Sequence, residues 1–300
     1  MKGFFSKVFG QEKMDQETVP MKNNDNIQNI QESGVLAAHG TVQPPQLISA
    51  CAQSIGLQRE HNEDALFTLT TTLTSDHNHL PFGLYIVADG MGGHQHGEIA
   101  SGIAVRSMAS FIVERLFLPV LSVKPATPDE SLQEIMQAGV QESHRTITKQ
   151  VPGGGTTLTA VLVLDEQVTI AHVGDSRAYW ISPDGSMEAL TRDHSLVRRL
   201  EELGQITHEE AATHPQRNVL YRALGQGEPI DPDVKTLRLP QGGYLLLCSD
   251  GLWGVVPDEE IKRIVTNKTE LDEACQALTD AANAAGGPDN ITAILIRLPG

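Results

Sequence analysis

The chain has 300 residues, 40% hydrophobic and 20% charged, a mixture that can build a core and excludes the apolar-poor composition of a disordered protein. Its 22 lysines and arginines against 38 aspartates and glutamates leave a formal charge of −16, which weighs against a duplex-DNA binder that works by neutralising phosphates. Cations or basic segments are the better-matched partners, and no nucleic acid is expected.

The opening MKGFFSKVFG turns polar at Gln11 without an apolar stretch or a small-residue cleavage site, so it is not read as a signal peptide. From Gln11 to about Pro45, Gln, Asn, Glu and Lys dominate and hydrophobic periodicity is lacking. Such a stretch buries too little to offset the entropy of ordering it. Residues 1–45 are therefore expected to be a disordered leader and 46–300 the folded domain. No run reaches the roughly 18 consecutive apolar residues that cross a bilayer. The longest candidate, 108–123, is interrupted by Glu114, Arg115 and Pro119, so no transmembrane segment is expected.

Apolar runs rich in β-branched residues predict strands at 84–88, 158–164, 168–173, 179–181, 244–248 and 291–296. The turn-compatible Asp165-Glu166 between two of them predicts an antiparallel hairpin. Ile99, Ile103, Met108, Phe111 and Ile112 share a helical face. Thr127-Pro128-Asp129-Glu130 predicts the capped start of a second helix, continued by Leu132, Ile135, Met136, Gly139, Val140 and Ile147. In the stretch 195–225 one helix is stopped by Gly204 and another is opened by the capping box Thr207-x-x-Glu210. A last helix spans 270–285, with Gly286 behind it. Strands and long helices interleave without strict βαβ alternation, which predicts an α+β layered domain.

Several chemistries are absent from the sequence. There is no GxxxxGK[ST], no HExxH and no GxSxG. Cys51, Cys248 and Cys275 form no CxxC pair, and none has an arginine six positions on, which removes a thiolate phosphatase loop. Their odd, scattered set argues against a disulfide framework and for a reducing, cytoplasmic compartment.

Aspartates set against strands remain. The run ending at Ala88 leads into Asp89-Gly90, the run ending at Ser249 leads into Asp250-Gly251, and Asp289 stands at the entry of 291–296. Each carboxylate is carried by a rigid element. Convergence of the three would be strongly repulsive unless divalent cations lay between them, and an all-oxygen set suits Mg²⁺ or Mn²⁺. The cluster Arg59-Glu60-His61-Asn62-Glu63-Asp64 adds a guanidinium, whose planar fork matches a pair of phosphate oxygens.

Seven stretches in order resemble the bacterial branch of the metal-dependent PP2C (PPM) protein serine/threonine phosphatases over 47–298. They are Arg59-x-x-Asn62-Glu63-Asp64, Ala88-Asp89-Gly90-Met91-Gly92-Gly93-His94, Gly155-Thr156-Thr157-Leu158-Thr159, Gly174-Asp175-Ser176-Arg177, Thr191-Arg192-Asp193-His194-Ser195, Ser249-Asp250-Gly251 and Asp289-Asn290-Ile291-Thr292. The resemblance implies a four-layer α-β-β-α sandwich of two mainly antiparallel sheets, with 195–225 as a flap beside the cleft.

It also implies roles. Asp89 would bridge two Mn²⁺ or Mg²⁺ ions, Gly90 would lend its carbonyl, and Asp250 and Asp289 would complete the second ion's shell. Glu63 and Asp64 would bind directly or through water, Arg59 would grip the phosphate, and Asp175 with Asp193 would hold a third, weaker ion. The reaction expected is direct hydrolysis of phosphoserine or phosphothreonine on proteins by a metal-activated bridging water, without a phosphoenzyme. The enzyme would be a monomer opposing a serine/threonine kinase. A silent phosphoprotein-binding module on the same fold, or a phosphatase for small phosphorylated molecules, are the alternatives. Where eukaryotic relatives carry a histidine after the Asp-Gly pair this chain has Met91, which leaves leaving-group protonation to a metal-bound water or to His61, His94 or His96. Arg198, Arg199, Arg217 and Arg222 of the flap are expected to face an acidic phosphoprotein partner.

Overall fold

The computed structural model describes residues 44–75, 78–91, 95–122, 128–227, 229–240 and 242–299. The expected leader therefore lies outside the described residues except for Pro44 and Pro45. Eleven strands are described: β1 (Ile48–Ser54), β2 (Asp64–Ser75), β3 (Asn78–Met91), β4 (Gly155–Thr156), β5 (Leu158–Leu164), β6 (Gln167–Val173), β7 (Arg177–Ile181), β8 (Met187–Ala189), β9 (Asp233–Arg238), β10 (Tyr244–Cys248) and β11 (Ile291–Arg297). One sheet has the order β1-β11-β10-β7-β8 and the other β2-β3-β5-β6-β9, with β4 beside β3. Every described pairing is antiparallel, including the expected β5–β6 hairpin, where Leu164 faces Gln167.

The central strands are largely apolar because each of their faces is covered. In β5, Val161 and Val163 point between the sheets with Leu245 and Leu247 of β10 and Ile294 and Ile296 of β11. The alternate residues Leu158, Ala160 and Leu162 meet helix α1 (Gln95–Ile112) and helix α2 (Leu132–Gln150) on the outside. Leu246 and Cys248 of β10 and Ala293 and Leu295 of β11 turn outward to the opposite helical layer. Period-two alternation between two buried layers produces continuous apolar runs, and the result is helix, sheet, sheet, helix.

Three expectations are corrected. Helix α2 starts at Leu132, not near Pro128: Glu134 N–H donates to Ser131 Oγ at 3.2 Å and Ser131 N–H donates to Glu134 Oε2 at 2.6 Å. This reciprocal box satisfies two orphan donors one turn downstream of the expected one, of which Thr127 lies outside the described residues. Ile99 is 46% exposed, and the face of α1 that reaches the core carries Ala100, Ala104, Met108 and Ile112. Strand β3 does not stop at Ala88. It runs through Asp89 and Gly90 to Met91 because Gly90 and Met91 pair with Thr156 and Gly155 of β4.

Beyond Ile112, α1 passes through a π-helical turn, Val113–Phe117, into a last turn, Leu118–Leu121. The stretch 195–225 contains helix α3 (Leu196–Glu202) and helix α4 (His208–Thr213), the latter opened by the expected Thr207–Glu210 box. The second helical layer consists of α5 (Asp250–Trp253), α6 (Asp258–Asn267) and α7 (Leu271–Ala284). No helix among the described residues is long and apolar enough to cross a membrane.

Candidate active site

The two sheets present acidic residues at one common edge. Asp64 and Asp89 face each other across β2 and β3. Asp89 is pinned through its backbone: its N–H donates to Thr157 Oγ1 at 2.8 Å, and its carbonyl accepts from Thr157 N–H at 2.9 Å and Thr156 Oγ1 at 2.8 Å. From the other sheet, Asp250 opens α5 just after β10 and Asp289 precedes β11. Ser249 Oγ and Thr292 Oγ1 donate to Asp64 Oδ2 at 2.7 and 2.6 Å, so this carboxylate is tied across the sandwich.

Asn290 sets the remaining wall. Its side-chain carbonyl accepts from Glu63 N–H at 2.8 Å, and its amide donates to the carbonyls of Ile55 and His61 at 2.8 and 2.9 Å. The loop holding Arg59 and Glu63 is thereby laced to the residue that follows Asp289. Arg59 Nη2 lies 2.6 Å from Asp289 Oδ2. Gly90 is required sterically, since a Cβ there would stand 2.3 Å from the Gly97 carbonyl oxygen and 2.7 Å from that of Glu63.

Arg59, Glu63, Asp89, Gly90, Asp175, Asp250 and Asp289 line one cleft, together with Asn218 and Leu220 of the 195–225 stretch. Asp64 is buried behind them. Asp193 sits differently, because both its oxygens are taken by Arg177, at 2.9 and 2.7 Å. His61 and Met91 line the cleft, His96 is exposed outside it, and His94 lies outside the described residues.

Burial, followed by the charges of Asp64, Asp250, Asp175 and Asp289, holds the Asp89 carboxyl well above the usual carboxylate range. Burial raises Asp64 to about 7 against the opposing donors Thr292 and Ser249, and burial with Asp289 raises Asp250 to about 6. Asp175 is likewise pushed well up, by burial and then by Asp250 and Asp193. Among the described residues, no three His, Cys, Asp or Glu side chains are already drawn around one point. The donor set nevertheless fits hard divalent cations: it is all oxygen, and the buried Asp64 Oδ1 and Asp250 Oδ1 have no hydrogen-bond partner among the described residues. Carboxylates so placed gain most from a cation that replaces their protons.

Ser249, Thr292, Thr157 and Asn290 had no role assigned from sequence. Each lies within a recognised stretch, but its partner is distant in the chain, and no local spacing encodes that pairing.

Residues 51–291 match the family model of Protein phosphatase 2C. The chain belongs to that family. The protein phosphatase PhpP of Streptococcus pneumoniae is 40% identical over 218 residues, covering 72% of this chain and 85% of that protein. Among solved structures, the Mycobacterium tuberculosis serine/threonine phosphatase PstP/Ppp is 32% identical with a TM-score of 0.71, covering 85% of this chain and all of that one. The PstP catalytic domain in complex with two manganese ions is 30% identical with a TM-score of 0.70, again over 85% of this chain and 100% of that one. This member of the protein phosphatase 2C family is thus a serine/threonine phosphatase whose sandwich is the family fold.

Proposed function

We propose that the cleft holds two Mn²⁺ or Mg²⁺ ions and hydrolyses phosphoserine and phosphothreonine on proteins by direct attack of water. The observation that carries this reading is the convergence of the Asp89, Asp175, Asp250 and Asp289 carboxylates on one cleft, backed by the orphaned oxygens of Asp64 and Asp250 and by the raised proton affinity of Asp89, Asp175 and Asp250. The two manganese ions of the PstP structure support the count.

Asp89 is the ligand best placed to be shared, because it lines the cleft between the strands of one sheet and the aspartates of the other. Gly90, Asp250 and Asp289 complete the set, with Glu63 and Asp64 acting directly or through water and Asp175 at a third, weaker site. Bound cations supply Lewis acidity that activates water and offsets charge on the phosphoryl oxygens. The guanidinium of Arg59, 47% exposed at the cleft wall, orients two phosphate oxygens. The Met91 thioether carries no proton for the leaving alkoxide, which leaves that step to water or to His61 on the cleft wall.

The substrates are products of a serine/threonine kinase in the same compartment. Cys248 and Cys275 remain free thiols, which suits a reducing cytoplasm. Turnover of a phosphothreonine peptide that Mn²⁺ supports and a chelator abolishes, with lower kcat/KM on phosphometabolites, is the expected result. Chelator-insensitive turnover, or a preference for phosphometabolites, contradicts the reading.

A further inference from the structure

Behind Asp175 lies a stack of side chains that do not line the cleft. Arg177, at the start of β7, takes both oxygens of Asp193 with Nε and Nη2. Its remaining nitrogen, Nη1, donates to the Tyr179 hydroxyl at 2.9 Å. The guanidinium carbon lies 3.5 Å from the centroid of the Trp253 ring, an attractive cation–π contact. The indole Nε1 of Trp253 then donates to the backbone carbonyl of Asp175 at 3.0 Å.

Trp253 closes the same short helix that Asp250 opens. One turn of helix therefore carries a cleft carboxylate at one end and the donor that fixes the Asp175 backbone at the other. This matters because Asp175 and Asp250 repel each other in a buried setting. Left to repulsion, the 174–176 loop would move away from α5. The indole hydrogen bond opposes that movement. The bidentate ion pair to Asp193 locks the rotamer of Arg177, which in turn holds the indole plane.

We infer that Trp253, Arg177 and Asp193 form a positioning unit that holds Asp175 beside Asp250 for a divalent cation, with Asp193 acting through Arg177 and not as a ligand. The inference rests on the metal-dependent reading of the cleft. It replaces a direct role for Asp193 with an indirect one and brings in two residues to which no role had been given.

Calorimetric titration of the full chain with Mn²⁺ alone tests it, using wild type, W253F, which deletes the N–H and keeps a ring, and D193N. Loss of such supporting contacts weakens metal binding about 10- to 100-fold. W253F and D193N should each weaken the weakest Mn²⁺ step by that factor and leave the tightest step in place, which also reports that the variants fold. The double variant should be no worse than either single one. Wild-type titration by W253F overturns the unit, and a step lost in D193N but kept in W253F makes Asp193 a ligand. A wild type with no Mn²⁺ step contradicts the metal reading itself. The chain has two tryptophans, and Trp180 is buried between the sheets. In W180F, Mn²⁺ should therefore change the emission of Trp253 over the range of the weakest step, and silent emission would again count against the unit.

Discussion

Asp89 answers two opposed demands. Its backbone is fixed by three hydrogen bonds to Thr156 and Thr157, while its carboxyl is half-buried among other acids and binds a proton more readily than a free aspartate. Asn in its place keeps the shape and cannot ionise. D89N should lower kcat on the order of 10³-fold, the scale of losing one preorganised electrostatic contact. It should also relieve repulsion on Asp64 and Asp250, so in chelator at pH 8 the variant should melt above wild type. Phosphopeptide kinetics and thermal melts check the two halves, and a D89N melt below wild type under those conditions contradicts the electrostatic account. Activity is gained here at the expense of stability in the metal-free cleft.

At the scale of elements, the stretch 195–225 shows how far patterns carry. Its helices follow from Gly204 and the Thr207–Glu210 box, but the direction of its arginines does not. Arg222 is half-buried, and its Nη1 donates to Asp233 Oδ1 at 2.9 Å beside His194, whose Nε2 lies 3.2 Å from Asp233 Oδ2. Arg198 pairs with Glu201 at 2.9 Å, and Arg199 lies 3.8 Å from Glu202, which also receives Arg192. Arg217 is exposed and makes no ion pair among the described residues, so it is the cation of this stretch to test against an acidic partner. R217E should raise KM for a phosphoprotein about 2- to 5-fold, as one exposed pair permits, and leave p-nitrophenyl phosphate unchanged. Equal effects on both substrates reject that role.

The same scale explains what the sequence left hidden. The strands read in advance were those buried on both faces, such as β5 and β10, because burial enforces apolar runs. Strand β2 is half-buried and threonine-rich (DALFTLTTTLTS), and β1 and β9 are half-exposed and of mixed polarity, so none gave such a run. The site aspartates were legible because glycine or a strand boundary marks them. Their supports, Ser249, Thr292 and Asn290, were not, since their partners are brought near only by the packing of one sheet on the other.

At the scale of the whole molecule, the cleft draws Asp89, backed by the buried Asp64, from one sheet and Asp250 and Asp289 from the other. A cation bound there cross-links the sandwich and should raise Tm. Ligand at about 100 times Kd adds about 2.7 kcal/mol, or roughly 5–10 °C for a domain of this size. The rise should depend on pH. Carboxyls whose folded affinity for protons exceeds the ordinary 3.8 stabilise the fold fully below that value and lose the contribution as pH climbs through about 6 to 7, where Asp250 and Asp64 ionise. The Mn²⁺-induced rise in Tm should accordingly be larger at pH 8 than at pH 5.5, and a rise that is equal or reversed in order contradicts this linkage.

The central claim is that both sheets place their acids around shared ions. Diffraction from Mn²⁺-grown crystals across the manganese absorption edge tests it directly. The account predicts two anomalous peaks in the cleft within bonding distance of Asp89, Asp250 and Asp289. Peaks scattered over other surfaces, or an empty cleft at a Mn²⁺ concentration that sustains full turnover, would contradict it.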